Sequence, residues 1–135
     1  QLVVGYLSFI SLTLVLPALV AVADPQADFI LMVKPQFEIG KDRLGSGGVV
    51  RNLDHHRETI AKVIECARNL GLGIAAVEAS PIPGPSGNVE YFVYMRADHP
   101  NALEEDQIPG AIDRAVLAGP AGRTRAANSA HDTQE

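Results

Sequence analysis

The chain has no tryptophan, one cysteine in 135 residues, and only 5% aromatic residues. A single cysteine excludes an internal disulfide framework and any zinc module built from several cysteines. Charge is sparse too, at 20% of residues against 47% hydrophobic. That ratio permits a buried core and argues against global disorder. The length allows one domain of ordinary size. There is no surplus of positive charge: 11 Lys and Arg face 16 Asp and Glu, for a net charge of -5. This excludes a protein that coats nucleic acid through overall basicity, but it leaves room for a local basic site. The acidity is unevenly spread. Residues 1–96 carry 8 basic and 9 acidic groups, and residues 97–135 carry 3 and 7. The tail therefore holds the excess, and the rest is close to neutral.

Residues 1–23 lack any charged side chain. The run from Leu2 to Ala23 is long enough to span a bilayer, and Ala21-Val22-Ala23 before Asp24 has the form of a signal-peptidase site. One reading is thus a secreted or membrane-active protein with residues 1–23 as signal or membrane segment. Against it stand the missing basic flank, Pro17 inside the run, and the polar Ser8, Ser11 and Thr13. The other reading divides the run into a buried strand at Leu2-Val3-Val4-Gly5-Tyr6 and a helix to about Ala23. Ser11 would cap that helix, Leu12, Leu16, Leu19 and Val20 would share one side, and Pro17 would kink it. These residues alone leave both readings open. The first residue is Gln1 rather than Met, as expected of a processed terminus or a piece of a longer protein.

Asp24-Pro25-Gln26 reads as a turn. Ala27 to Val33 reads as a second buried strand, closed by Pro35, which cannot donate to a ladder. A loop over 36–52 follows, with Gly40, Gly45, Gly47 and Gly48 and the cations Lys41, Arg43 and Arg51. The apolar spacing of Ile60, Val63, Ile64, Ala67 and Leu70 predicts a helix from about Asp54, its N-cap, to Leu70, stopped by Gly71. Gly73 to Ser80 is a third strand. Pro81 to Asn88 is a Pro/Gly loop, and Val89 to Arg96 is a fourth strand, rich in aromatic and β-branched residues.

Strands alternating with helices predict an α/β fold with parallel strands. The last two strands have only a short loop between them, so the final one must run antiparallel. Parallel strands ending in an antiparallel hairpin have the shape of the C-terminal half of a Rossmann-like methyltransferase sheet. The expected organisation is a partial domain over 1–118, with a short helix near Ile112 to Ala118, and a disordered tail over 119–135.

Most candidate chemistry is weak. Gly45-Ser46-Gly47-Gly48 lacks the Gly-Lys-Ser/Thr of a phosphate loop. Gly84-Pro85-Ser86-Gly87 is not a nucleophile elbow. His55 and His56 are adjacent on a helix, which is poor metal geometry, and read as a solvated helix end. Cys66 reads as a core or boundary cysteine. Two charges are more informative. Lys34 ends an apolar strand, where open α/β sheets place their functional crevice. Glu90 opens an antiparallel strand and so belongs to the same sheet edge. A lysine and a glutamate can meet there, as a functional pair or as a structural ion pair.

Four segments carry a resemblance to a known family. They are Leu7-Ser8-Phe9-Ile10-Ser11-Leu12, Val33-Lys34-Pro35-Gln36-Phe37-Glu38-Ile39-Gly40-Lys41, Gly47-Gly48-Val49-Val50, and Ser80-Pro81-Ile82-Pro83-Gly84-Pro85-Ser86-Gly87-Asn88-Val89-Glu90-Tyr91-Phe92. Together they resemble the TlyA, or hemolysin A, family over roughly residues 2–120. The resemblance implies an S-adenosylmethionine-dependent ribosomal RNA 2′-O-ribose methyltransferase with an FtsJ-like domain, acting in the cytoplasm on ribosomal RNA or a ribosomal subunit, with no membrane role. The family's catalytic set is Lys-Asp-Lys-Glu. Lys34 matches its second lysine and Glu90 its glutamate, and Tyr6 stands where the family has aspartate. Tyr6 is neutral at pH 7 and cannot supply that carboxylate.

The family's first lysine, its RNA-binding S4 domain and its glycine-rich cofactor segment match nothing in this chain, so no cofactor-binding residue is assigned. The resemblance therefore implies a truncated chain, catalytically incomplete on its own. Lys41, Arg43 and Arg51 are the candidates for RNA phosphate contact, and no metal is implied. The Val3-Val4 strand would become an unpaired sheet edge, which favours self-association and poor solubility.

Overall fold

The computed structural model describes residues 1–5, 11–38, 52–84, 87–120 and 122. The uncharged start forms a strand, β1 (Leu2–Gly5), and a helix, α1 (Leu12–Val22). It is thus not one spanning segment: no helix among the described residues is long and apolar enough to cross a membrane. Ser11 caps α1, its Oγ accepting the Thr13 N–H at 3.2 Å. Leu12 and Leu16 are buried, and Leu19 and Val20 pack against the core as the spacing predicts. Pro17 lies inside α1. A proline has no N–H for the carbonyl four residues back, which here is Thr13. The Cys66 thiol approaches that carbonyl instead, with Sγ 3.9 Å from the oxygen. Burial pushes the thiol's pKa up, and the nearby Glu38 adds to the effect, so Cys66 stays a protonated donor.

β2 (Asp28–Val33) pairs in parallel with β1, setting Leu2 against Asp28 and Gly5 against Leu31. The expected loop after it begins differently, because Pro35–Glu38 form a short helix, α2. The proline that ends the strand suits a first helical position, where its fixed φ is pre-set and no N–H is needed. The next helix, α3, spans Leu53–Asn69. Its cap is Asn52 rather than Asp54: Asn52 Oδ1 accepts the Asp54 N–H at 2.8 Å. Asp54 instead pairs with Arg57 at 2.8 Å. Gly71 follows with φ +88°, a left-handed conformation that ends the helix at low cost only for glycine.

β3 (Leu72–Ala79) and β4 (Tyr91–Ala97) complete a sheet of order β1-β2-β4-β3. β4 runs antiparallel to both β2 and β3. The strands β1, β2 and β3 therefore share one direction, with the last strand inserted between two of them. A 3-10 turn (Glu105–Gln107) leads into α4 (Ile108–Ala118), which starts earlier than the expected Ile112. Pro109 in its first turn explains the early start. Gly119 N–H bonds to Ala115 O at 3.1 Å, closing the helix. Of the tail expected to be disordered, residues 121 and 123–135 lie outside the described residues.

The core lies between the sheet and α3, which touches both α1 and α4. Alternate residues Phe29, Leu31 and Val33 of β2 and Tyr91, Val93 and Met95 of β4 are buried, the period of two expected for one sheet face. His56 corrects the sequence reading of a solvated helix end. It is fully buried, with Nδ1 2.6 Å from the Tyr91 hydroxyl and the two rings edge to face at 5.6 Å. The signal was present in the spacing, since His56, Ile60, Val63 and Ala67 share one helical stripe.

Burial pushes the Tyr91 phenol well above its ordinary pKa of 10.0, against a smaller opposing pull from Arg57. Folding thus favours the protonated form. This contribution is fully present below pH 10 and is lost as pH rises beyond it. Urea melts across a pH series should show stability falling above about pH 10. Tyr91→Phe should remove that part of the fall and cost about 1–3 kcal/mol at pH 7 by stripping His56 Nδ1 of its partner.

Candidate functional site

The site is built where β1 and β2 end and β4 begins. β2 and β4 pair with Val33 opposite Tyr91. The next residue outward on each strand is Lys34 on one side and Glu90 on the other. The structure thus brings the two sequence candidates to one point of the carboxyl edge. Both are 6% exposed. Burying a charge is costly unless it is paired or hydrogen-bonded, so neither side chain is placed there without consequence.

The Pro/Gly loop folds back over Glu90. Ser80 N–H donates to Glu90 O at 2.8 Å, and Gly84 N–H donates to Asn88 O at 2.8 Å. A Cβ at Gly84 would sit 2.7 Å from Glu90 Oε1 and 3.3 Å from Cδ. Only glycine lets the loop backbone come this close to the carboxylate. Asn88 is buried beside it.

Sequence reasoning missed Glu38 as a functional candidate. Its side chain is buried at the end of α2, and its two oxygens reach the start of α1. Oε1 accepts the Leu12 N–H at 2.7 Å, and Oε2 accepts the Ser11 hydroxyl at 2.5 Å. α1 has no acidic residue in its own first turn. Glu38 supplies the negative charge that a helix N-terminus favours, from a segment more than twenty residues away. No local motif announces such a bond. On the same short helix, Gln36 Oε1 is the one buried side-chain oxygen or nitrogen among the described residues without a hydrogen-bond partner.

Tyr6, Lys41, Arg43 and Arg51 lie outside the described residues, as does the Gly45–Gly48 segment. Tyr6 directly follows the last residue of β1 in sequence. Among the described residues no group of three or more His, Cys, Asp or Glu is placed to hold a metal ion.

Two grooves stand out among the described residues as room for a nucleoside cofactor. One of about 920 Å³ is lined by Arg68, Leu72, Asp98 and His99 among others, at the opposite edge of the sheet. The second, about 570 Å³, runs along β3 beside α4. Neither is lined by Lys34, Glu38 or Glu90, and among the described residues no glycine-rich cradle for a nucleoside adjoins those three. The described residues do not fit a bound S-adenosylmethionine. What they do hold is an amine and a carboxylate at one edge, backed by a glycine turn and a second, hydrogen-bonded carboxylate. That set can take up a proton and orient a hydroxyl group.

The profile of the FtsJ-like methyltransferase family matches residues 1–97. The chain is 48% identical over 120 residues to the "16S/23S rRNA (cytidine-2'-O)-methyltransferase TlyA" of Mycobacterium tuberculosis, covering 89% of this chain and 45% of that protein. It is 32% identical over 112 residues to the "Putative rRNA methyltransferase YqxC" of Bacillus subtilis, covering 80% of this chain and 40% of that protein. It therefore spans less than half the length of these relatives. A crystal structure of a "putative hemolysin" from Lactococcus lactis superposes with a TM-score of 0.73 at 32% identity, over 84% of this chain and 54% of that one. The strand order and these matches agree: the chain belongs to the FtsJ-like methyltransferase family.

Proposed function

We propose that this chain supplies the proton-handling part of a ribosomal RNA 2′-O-ribose methyltransferase that works in the cytoplasm with S-adenosylmethionine as methyl donor. The observation that carries the reading is the β2–β4 register, which brings buried Lys34 and Glu90 to one edge. The identity to a 2′-O-methyltransferase of M. tuberculosis supports the RNA substrate.

A ribose 2′-hydroxyl is a poor nucleophile until its proton leaves. In this reading Lys34 takes up that proton while the oxygen's electron pair becomes available for bonding. A lysine serves as base only where its surroundings disfavour the ammonium form. Glu90 orients the amine, held in place by the turn at Gly84. S-adenosylmethionine supplies an already activated methyl group, and its grip is assigned to none of the described residues. Lys41, Arg43 and Arg51 would meet RNA phosphates, positioning the substrate without reading its sequence.

The test is transfer of a labelled methyl group to ribosomal RNA. The 135-residue chain is assayed alone and joined behind the upstream segment of the M. tuberculosis relative. The joined protein should transfer the label, and the chain alone should not. Lys34→Met and Glu90→Gln in the joined protein should each lower the rate by about 100-fold or more, the scale of a lost general base. Unchanged rates in both variants would sink the assignment. Tyr6→Asp should raise the rate of the joined protein by about tenfold or more, because it places a carboxylate at the end of β1. A rate that stays flat would remove position 6 from the site.

The same sheet suggests how the chain behaves by itself. Among the described residues β1 pairs only with β2, and Leu2 and Val4 are 60% and 66% exposed. An apolar edge of this kind pairs with other edges. Sedimentation of the chain alone should show concentration-dependent association that Val4→Lys reduces. A strict monomer at every concentration would contradict it.

A further inference from the structure

We propose that Glu38 is a positioning residue: it holds Lys34 in place by tying α2 to the start of α1. The inference rests on the reading of Lys34 given under Proposed function.

α2 is only four residues long. A single helical turn has no stability of its own, since nucleating a helix is unfavourable. Something outside the turn must fix it. Pro35 fixes the backbone at its first residue, and Glu38 fixes its last. The Glu38 carboxylate takes two hydrogen bonds from one place, the Leu12 amide at 2.7 Å and the Ser11 hydroxyl at 2.5 Å. Charge-assisted bonds of this kind are among the stronger ones, and bidentate geometry adds direction. The turn that begins directly after Lys34 is therefore pinned at both ends.

The same bonds act on the other strand. Ser11 and Leu12 end the segment that leaves β1 at Gly5. Glu38 thus joins the two chain segments that emerge from the neighbouring parallel strands β1 and β2, at the edge that carries Lys34 and Glu90. α3 closes the third side, because Cys66 approaches Thr13 O and lies close enough to Glu38 for that charge to raise its thiol pKa. A carboxylate that served only as a helix cap would stabilise α1 and nothing more. This one stands four residues after Lys34 at the far end of a single turn that packs against α3, so its loss should reach Lys34.

The test uses the 135-residue chain and the side-chain carbon-proton NMR signals of Lys34, Lys41 and Lys62. Glu38→Gln keeps an acceptor for the Leu12 amide but offers an N–H where Ser11 needs an acceptor. Glu38→Ala removes both acceptors. The Lys34 signal should shift in both variants, more in Glu38→Ala, while the Lys62 signal on α3 stays in place. Ser11→Ala, a milder cut at the other end of the bond, should shift Lys34 in the same direction. If the alanine variant fails to fold, the glutamine and Ser11 variants decide. A Lys34 signal that stays put in folded variants overturns the inference, since a simple cap would move α1 alone. In the joined protein, Glu38→Gln should lower kcat by about 10- to 100-fold with the KM for RNA nearly unchanged, as expected when a reacting group is misplaced. Unaltered kcat would also overturn it. If the unaltered joined protein transfers no methyl group, the reading of Lys34 as base fails, and the NMR result still decides whether Glu38 holds Lys34.

Discussion

β4 enters the sheet between β2 and β3, against the direction of both, and its register against β2 constrains the whole carboxyl edge. Because side chains alternate with period two, a slip of one residue would turn Tyr91, Val93 and Met95 out of the core. Burial of those residues against α3 fixes the register. Once Val33 faces Tyr91, the chain has no freedom left in where Lys34 and Glu90 emerge. The hydrophobic core thus sets the position of two charges that take no part in it. The Tyr91–His56 bond adds a polar check on the same register, since a shifted strand would turn the Tyr91 hydroxyl away from His56 Nδ1.

The edge is held by close backbone approach and by bonds that cross between segments. Gly84 brings the Pro/Gly loop against the Glu90 carboxylate, at a distance where a Cβ would push the carboxylate from its place. Pro17 opens a gap in the α1 ladder, and Cys66 on α3 turns its thiol toward the exposed carbonyl. Glu38 reaches from α2 to the first amide of α1. Each bond links a strand exit or a helix to a different part of the chain. Their common result is an edge whose polar groups are held by several elements at once, the kind of support that keeps reacting groups in place.

Local signals in the sequence predicted the elements well, and long-range ones poorly. Ser11 capping α1, the stripe Ile60–Val63–Ile64–Ala67 and the Gly71 stop were legible because each acts within a turn or two. The direction of β4 was legible because a short loop cannot make a parallel crossover. The errors have equally local causes. Asn52 and Asp54 are both good caps, and only the observed bond to the Asp54 amide separates them. Pro35 ends the strand as the sequence indicates, but proline also suits the first residue of a helix. His56 was judged by its neighbour His55 instead of by the apolar residues four and seven positions on.

Of the site, Lys34 and Glu90 could be placed on one edge from sequence because strand direction alone puts them there. Glu38 could not. Its partners are Ser11 and Leu12, and a carboxylate 26 residues from the amide it binds leaves no periodic trace. A cap normally comes from the residues just before a helix, so a local search stops at Ser11 and finds it sufficient. Ser11 does cap α1, by accepting from Thr13. Its own hydroxyl proton then goes to Glu38. One serine therefore serves two purposes, the nearer hiding the farther. Ser11 satisfies only the Thr13 N–H, and Glu38 takes the Leu12 N–H that remains beside it. The same carboxylate fixes, at its other end, the turn that follows Lys34.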